Sequence, residues 1–136
     1  MILLEQYFGG KPHSTEYAHA AVKLLWHVDC LLIAARIAGF YRDEIDPDTG
    51  TCISGSKRGN GDGGFRLQTA TTGRPLSKHK LAAAVDVFDP FNQLDGWLTD
   101  EILAKHGLYR EHPDDTPGWC HLQTIPPGSG KRTFKP

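Results

Sequence analysis

From Val22 to Ile37 apolar residues recur at mixed spacings of three and four, through Leu25, Trp26, Val28, Leu32 and Ile33. That rhythm predicts one broad buried stripe on a long helix. Ser14, followed by Thr15 and Glu16, suits its start, and Gly39 sits where a C-terminal cap belongs. His19 and His27 fall on this helix as surface or edge residues, because neither has a partner ligand one turn away. Residues 1–13 read as an extended lead-in that ends in Gly9-Gly10-Lys11-Pro12.

Beyond the helix, residues 44–50 form a polar turn and Thr51 to Ser54 is a short strand candidate. Residues 55–75 are rich in glycine, with Lys57, Arg58, Asp62 and Arg66 interspersed, and carry no clear period. They predict a long irregular loop, a kind of segment that is often functional. Ala83 to Phe88 alternates and carries Val85 and Val87, so it reads as a strand. Residues 93–106 predict a second helix, with Leu94, Trp97, Leu98, Ile102 and Leu103 inward and Gly107 as its stop. Leu108 to Glu111 and Trp119 to Ile125 are further strands around a Pro/Asp turn, and 126–136 reads as a loose tail after Pro126-Pro127-Gly128. The order predicts a single α+β domain spanning 1–136: a mainly antiparallel sheet, with the long N-terminal helix and the second helix packed on it.

Composition narrows the function classes. The net charge of the 136 residues is -1, and Lys131, Arg132 and Lys135 are dispersed in the tail, so no basic face for nucleic acid is expected. The most hydrophobic stretch, Ala18 to Phe40, contains Lys23, His27, Asp29 and Arg36 and makes a poor bilayer span. Met1-Ile2-Leu3-Leu4 runs at once into Glu5 and Gln6, too short for a secretory signal, so synthesis in the cytoplasm without a signal peptide is expected. Cys30, Cys52 and Cys120 are odd in number and lack a C-x-x-C pair. They read as reduced, mostly buried thiols, with one disulfide and a leftover thiol as the alternative.

The chemistry-bearing segments are Ser77-Lys78-His79-Lys80-Leu81-Ala82-Ala83-Ala84-Val85-Asp86 and Trp119-Cys120-His121. Catalytic zinc sites use three nitrogen or oxygen ligands and keep one position open. A loop His79, a mid-strand Asp86 and His121 on a neighbouring strand would supply that set, placing the metal on the sheet. Trp119, His121 and Gln123 share one strand face and Cys120 points the other way, into the core. With seven histidines in the chain, spacing alone leaves a coincidental His-Asp pair open.

The pattern S-x-H-x-x-G-x-A-x-D followed by W-x-H resembles that of the M15 family of zinc peptidases. Those enzymes include D-alanyl-D-alanine carboxypeptidases and dipeptidases, and phage endolysins that cut L-alanyl-D-glutamate bonds. The match holds at Ser77, His79, Ala84, Asp86, Trp119 and His121, and Ala82 stands where the family usually has glycine. The resemblance spans roughly residues 50–125 and implies zinc held by His79, Asp86 and His121. It also implies an upstream arginine that holds substrate. Gly63-Gly64-Phe65-Arg66 keeps the family's glycine, aromatic, arginine order; Ser54-Gly55-Ser56-Lys57-Arg58 keeps Ser-Gly but lacks the aromatic. Arg66 is therefore preferred over Arg58, with Ser77 and Trp119 as further substrate contacts.

One position departs from the family. Its general base stands three residues before the last histidine, and here that residue is Gly118. Glu111, at the end of a predicted strand, is the first candidate to replace it, followed by Asp114 and His112, with Asp115 nearby. The expected function is a zinc peptidase acting on peptidoglycan stem peptides, at the cell wall after release by a holin-type partner or as part of a virion. The alternatives are a non-catalytic zinc domain, which Gly118 would suit, and a metal-free interaction domain.

Overall fold

In the computed structural model, which describes residues 1–55, 63–71 and 76–136, the lead-in is not extended. Leu4–Phe8 forms a short helix, α1, closed by Gly9 at φ 57°. Tertiary anchors hold it. Tyr7 and Phe8 are buried, the Tyr7 hydroxyl donates to the Ala84 carbonyl at 2.8 Å, and the Phe65 amide donates to the Tyr7 carbonyl at 2.9 Å.

The long helix α2 runs Thr15–Ala38 and is bounded as the sequence predicts. The Ser14 hydroxyl accepts from the Tyr17 amide, and Gly39, at φ 86°, returns its amide to the Ala35 and Arg36 carbonyls. Its buried stripe differs from the expected one. Ala21, Leu24, Leu25, Val28, Leu31, Leu32 and Ala35 face the core, and the row Ala21, Leu24, Val28, Leu31, Ala35 keeps a 3-4-3-4 rhythm that fits 3.6 residues per turn. Of the expected stripe only Leu25, Val28 and Leu32 are inside; Val22, Trp26, Ile33 and Ile37 lie on the opposite, exposed face. The helix carries two apolar faces, and periodicity alone does not say which one meets the sheet.

The sheet has four strands: β1 (Ala84–Phe88), β2 (Tyr109–Glu111), β3 (Trp119–Gln123) and β4 (Thr133–Phe134), in the order β1-β3-β2-β4. β1 and β2 both pair antiparallel with β3, and β4 runs parallel to β2, giving the mainly antiparallel α+β arrangement expected. Thr51 and Ile53 make only isolated bridges rather than a strand. β4 lies inside the segment read as a loose tail. It is fixed by hydrogen bonds that the Arg110 amide donates to the Arg132 carbonyl and the His112 amide to the Phe134 carbonyl, both 2.8 Å, and by the Arg132 guanidinium 4.2 Å over the Tyr109 ring.

The predicted second helix is two helices, α3 (Gln93–Trp97) and α4 (Asp100–Lys105). The break has a local cause and a distant one. Thr99 starts a new helix by accepting from the Ile102 amide at 3.2 Å, and the buried Arg110 donates to the carbonyls of Asp95 and Leu98. Asp89 caps α3 from outside, its carboxylate accepting from the Leu94 and Asp95 amides.

Two backbone features position the loop before β1. A 3-10 turn, Lys78–Leu81, ends at Ala82 in the left-handed region (φ 53°, ψ 34°). A Cβ on Gly63 or Gly64 would run into the carbonyl oxygen of Ser54 or Tyr7, so both glycines are required for close packing.

Ala82 is fully buried, so its strained turn can be tested directly. The left-handed conformation costs an L-residue roughly 1–2 kcal/mol. Removing the methyl loses burial of about 0.8 kcal/mol and adds unfolded-state entropy of about 0.4–1 kcal/mol. These terms offset, so Ala82→Gly is expected to leave unfolding free energy within about 1 kcal/mol of wild type in urea titrations. Ala82→Val, a β-branched residue in a closed core, is expected to lose about 2–4 kcal/mol.

Candidate metal centre

His79 sits on the 3-10 turn, and Ser77 shapes that turn by accepting from the His79 amide at 3.3 Å. Asp86 is the middle residue of β1, and register places it directly opposite His121 on β3. Cross-strand partners share a face, so the pairing itself delivers the carboxylate to the imidazole. All three side chains are buried. His79 Nε2 lies 3.3 Å from Asp86 Oδ1, and His121 Nδ1 lies 2.9 Å from the same oxygen. One ligand atom from each residue falls within 4.8 Å of the others. Bonds of about 2.0–2.1 Å in tetrahedral geometry put ligand atoms roughly 3.3 Å apart, so these spacings suit a metal.

Hydrogen bonds fix which nitrogens face inward. His79 Nδ1 is 2.8 Å from the Gly64 carbonyl, which only accepts, so Nδ1 carries the hydrogen and Nε2 presents a lone pair. Gln123 Nε2 donates to the Ile125 carbonyl at 2.7 Å, which turns Gln123 Oε1 toward His121. That oxygen, at 2.8 Å, accepts from His121 Nε2 and leaves Nδ1 facing Asp86. With both rings neutral in these tautomers, two imidazole lone pairs and a carboxylate would meet at one buried point. Such a meeting of acceptors needs a cation, either protons or a metal ion, and these three residues could hold a metal.

The local electrostatics agree. Burial by itself raises the Asp86 carboxyl, but the two imidazoles reverse this and hold it far below the usual carboxylate range. Burial pushes the His79 imidazole down, against the pull of Asp86. Burial also opposes a charge on His121, yet its bonds to Asp86 and Gln123 and the nearby Glu111 charge carry it above the ordinary histidine value. The site thus keeps the Asp86 carboxylate ionised and sheds the His79 proton readily, as ligation requires, whereas a metal would have to displace the proton that Asp86 and Gln123 favour on His121.

Arg66 and Ser77 are brought to the same place. Arg66 is buried, with Nη2 3.6 Å from Asp86 Oδ2 and Nη1 donating to Ser77 Oγ at 3.4 Å. The competing Arg58, with Lys57 and Asp62, lies outside the described residues. Glu111 ends β2. The Tyr109↔Gln123 and Arg110↔Leu122 pairs, continued one step, set it opposite His121 on the ligand face, which agrees with its effect on His121. Trp119 occupies that face two residues from His121, paired with Phe88.

Asp114 is placed differently. Its side chain is 77% exposed and its carboxylate faces His112 at 3.5 Å and Lys135 at 3.9 Å. His112 Nδ1 caps the Pro113–Asp115 turn by accepting from the Asp114 amide, and Asp115 faces Lys135 at 3.6 Å. Gly118 has φ 92°, a conformation that disfavours any side-chain-bearing residue. Cys120 is buried in the core as expected, and all three cysteines are free.

Sequence reasoning missed three parts of the site. Gln123 was readable in principle, since it stands two residues past His121 on the same face. The Gly64 carbonyl was not readable, because a backbone acceptor leaves no side-chain signal. Phe134, whose ring stands edge-on to His121 at 6.1 Å, comes from the segment read as tail. No family model, curated protein or solved structure matches this chain.

A metal ion that binds the folded chain at a thousand-fold excess over its dissociation constant stabilises by about 4 kcal/mol. For a chain of this size that is a rise in melting temperature of about 10 °C or more. Scanning calorimetry with and without a divalent transition metal is expected to show it, and His79→Ala or Asp86→Ala to abolish it. Gln123→Leu removes the acceptor that orients His121, and is expected to weaken metal binding by about 10–100-fold in calorimetric titration.

Proposed function

We propose that the chain is a zinc-dependent peptidase acting on the stem peptides of bacterial peptidoglycan. The observation that carries this reading is the convergence of His79 Nε2, Asp86 Oδ1 and His121 Nδ1, with each ring's other nitrogen bonded away from that point. Two nitrogens and one carboxylate oxygen are a donor set that suits zinc, and a three-residue set is that of catalytic rather than structural zinc. When bound, zinc supplies Lewis acidity for a peptide carbonyl and for water. The peptidoglycan substrate, and a lysis role with a holin-type release partner or a virion, rest on the resemblance of the two motifs to zinc D,D-peptidases. Among the described residues no helix is long and apolar enough to cross a membrane.

The surrounding side chains divide the remaining work. Arg66, charged and rigid in its fork, holds substrate carbonyl or carboxylate, with Ser77 Oγ beside it. The Glu111 carboxylate takes the proton from the attacking water and returns it to the leaving amine. Its place across the sheet from His121 makes it the base in preference to Asp114, whose carboxylate faces Lys135 instead.

Gly118 favours a second reading, in which the site holds metal without turnover. The two readings part in one assay. Purified protein loaded with zinc is expected to release new amino and carboxyl groups from bacterial peptidoglycan. Glu111→Gln is expected to lose about 10²–10⁴-fold in kcat with zinc content unchanged, and Asp114→Ala to stay within about twofold. Zinc-loaded wild type that is inert on walls of every cross-link type decides for the non-catalytic reading.

A further inference from the structure

We propose that the outward face of α2 is a self-association surface, on which a second copy of this chain packs antiparallel about a two-fold axis. Val22, Trp26, Ile33 and Ile37 are exposed to 52%, 70%, 51% and 84%. At 3.6 residues per turn they fall within about 60° of one another, on the side opposite the stripe that faces the core. Cys30, half-buried, sits between the two pairs.

Isolated surface hydrophobics are ordinary, but a contiguous stripe on one helix is not. Trp26 alone exposes roughly 150–200 Å² of ring, and the four side chains together about 450 Å². Two such faces, with the Met1 side chain and the stems of Lys23 and Arg36 at the rim, clear the roughly 1,000 Å² that separates a specific interface from a chance contact. The area suits a reversible dimer rather than an obligate one.

The spacing of the stripe says what covers it. Residues 22, 26, 33 and 37 are separated by four, seven and four, a sequence that reads the same in both directions. A two-fold antiparallel pair requires that symmetry, because each residue meets the one at the mirrored position. Val22 then meets the partner's Ile37, and Trp26 meets the partner's Ile33, so the one large ring packs against a β-branched side chain. A single partner of unrelated sequence would place no such demand on the pattern. Asp29, at the edge of the stripe near the axis, is occupied by its own chain, accepting from the Ile2 amide at 3.1 Å. The surface uses no residue of the metal centre.

Sedimentation equilibrium of the full chain from about 1 to about 300 µM is expected to show a reversible monomer–dimer equilibrium. Trp26→Glu and Ile33→Glu are each expected to weaken dimerisation at least about tenfold with unchanged far-ultraviolet circular dichroism, because both side chains already face water. Cys30 lies half a residue from the axis, so a short bis-maleimide is expected to link two copies, and Cys30→Ser to abolish the link. Cys52 and Cys120 are buried and do not substitute for it. A wild type that stays monomeric across the range overturns the proposal, as does a dimer unmoved by both glutamates. A dimer that cannot be linked through Cys30 overturns the antiparallel packing.

Discussion

Three acceptor atoms facing one another inside a protein constitute an electrostatic debt, and the centre of this molecule is organised around it. Asp86 Oδ1 lies within 3.3 Å of two imidazole nitrogens whose far sides are already committed as donors. Without a positive charge between them the lone pairs repel, and at this depth water does not screen them. The rest of the fold holds that arrangement against relaxation. Antiparallel register fixes Asp86 against His121, Ser77 and Ala82 bracket the turn that carries His79, and Gly64 offers its carbonyl because it has no Cβ to keep Tyr7 away.

The core follows from the same need. β1 is buried along its first four residues, with Val85 and Val87 on one face and Ala84 and Asp86 on the other. A strand that carries a carboxylate into the interior needs its polar atoms covered on every side. Here Arg66 takes the second oxygen of Asp86, the Gly63 carbonyl accepts the Asp86 amide, and the Ser54 amide donates to its carbonyl. The segment around Gly63 thus serves as an irregular neighbour to β1, giving the strand backbone partners without a full ladder.

Much of this was legible in the chain and some was not, for reasons that differ by residue. Ser14, Gly39 and the alternation of β1 and β3 are local signals, and the structure follows them. The group of His79, Asp86 and His121, which could hold a metal, was legible through the resemblance of its two motifs to those of zinc peptidases, where spacing alone left coincidence open. Helix α1, β4 and the break at Thr99 escaped because each is stabilised by distant groups: Ala84 and Phe65 for α1, Arg110 and His112 for β4, Arg110 again for the break. The buried stripe of α2 was misread because Val22, Trp26, Ile33 and Ile37 form a second apolar face, and hydrophobicity does not say which face turns inward.

Gly118 was the strongest objection to hydrolysis at the level of sequence, and the geometry changes its weight. At φ 92° the backbone turns sharply there, its carbonyl accepting from Asp89 and its amide donating to Asn92, so a carboxylate at this position would strain the turn into β3. A sheet offers a second address for the same function. A side chain reaches a ligand from upstream on its own strand or from the mirrored position on the next, and the β2–β3 register, continued one step, puts Glu111 at the latter, across from His121. The turn alone accounts for glycine at position 118, independently of what the neighbouring site does. The register that sets Glu111 across from His121 follows from the pairing of β2 with β3 and owes nothing to the residue at position 118.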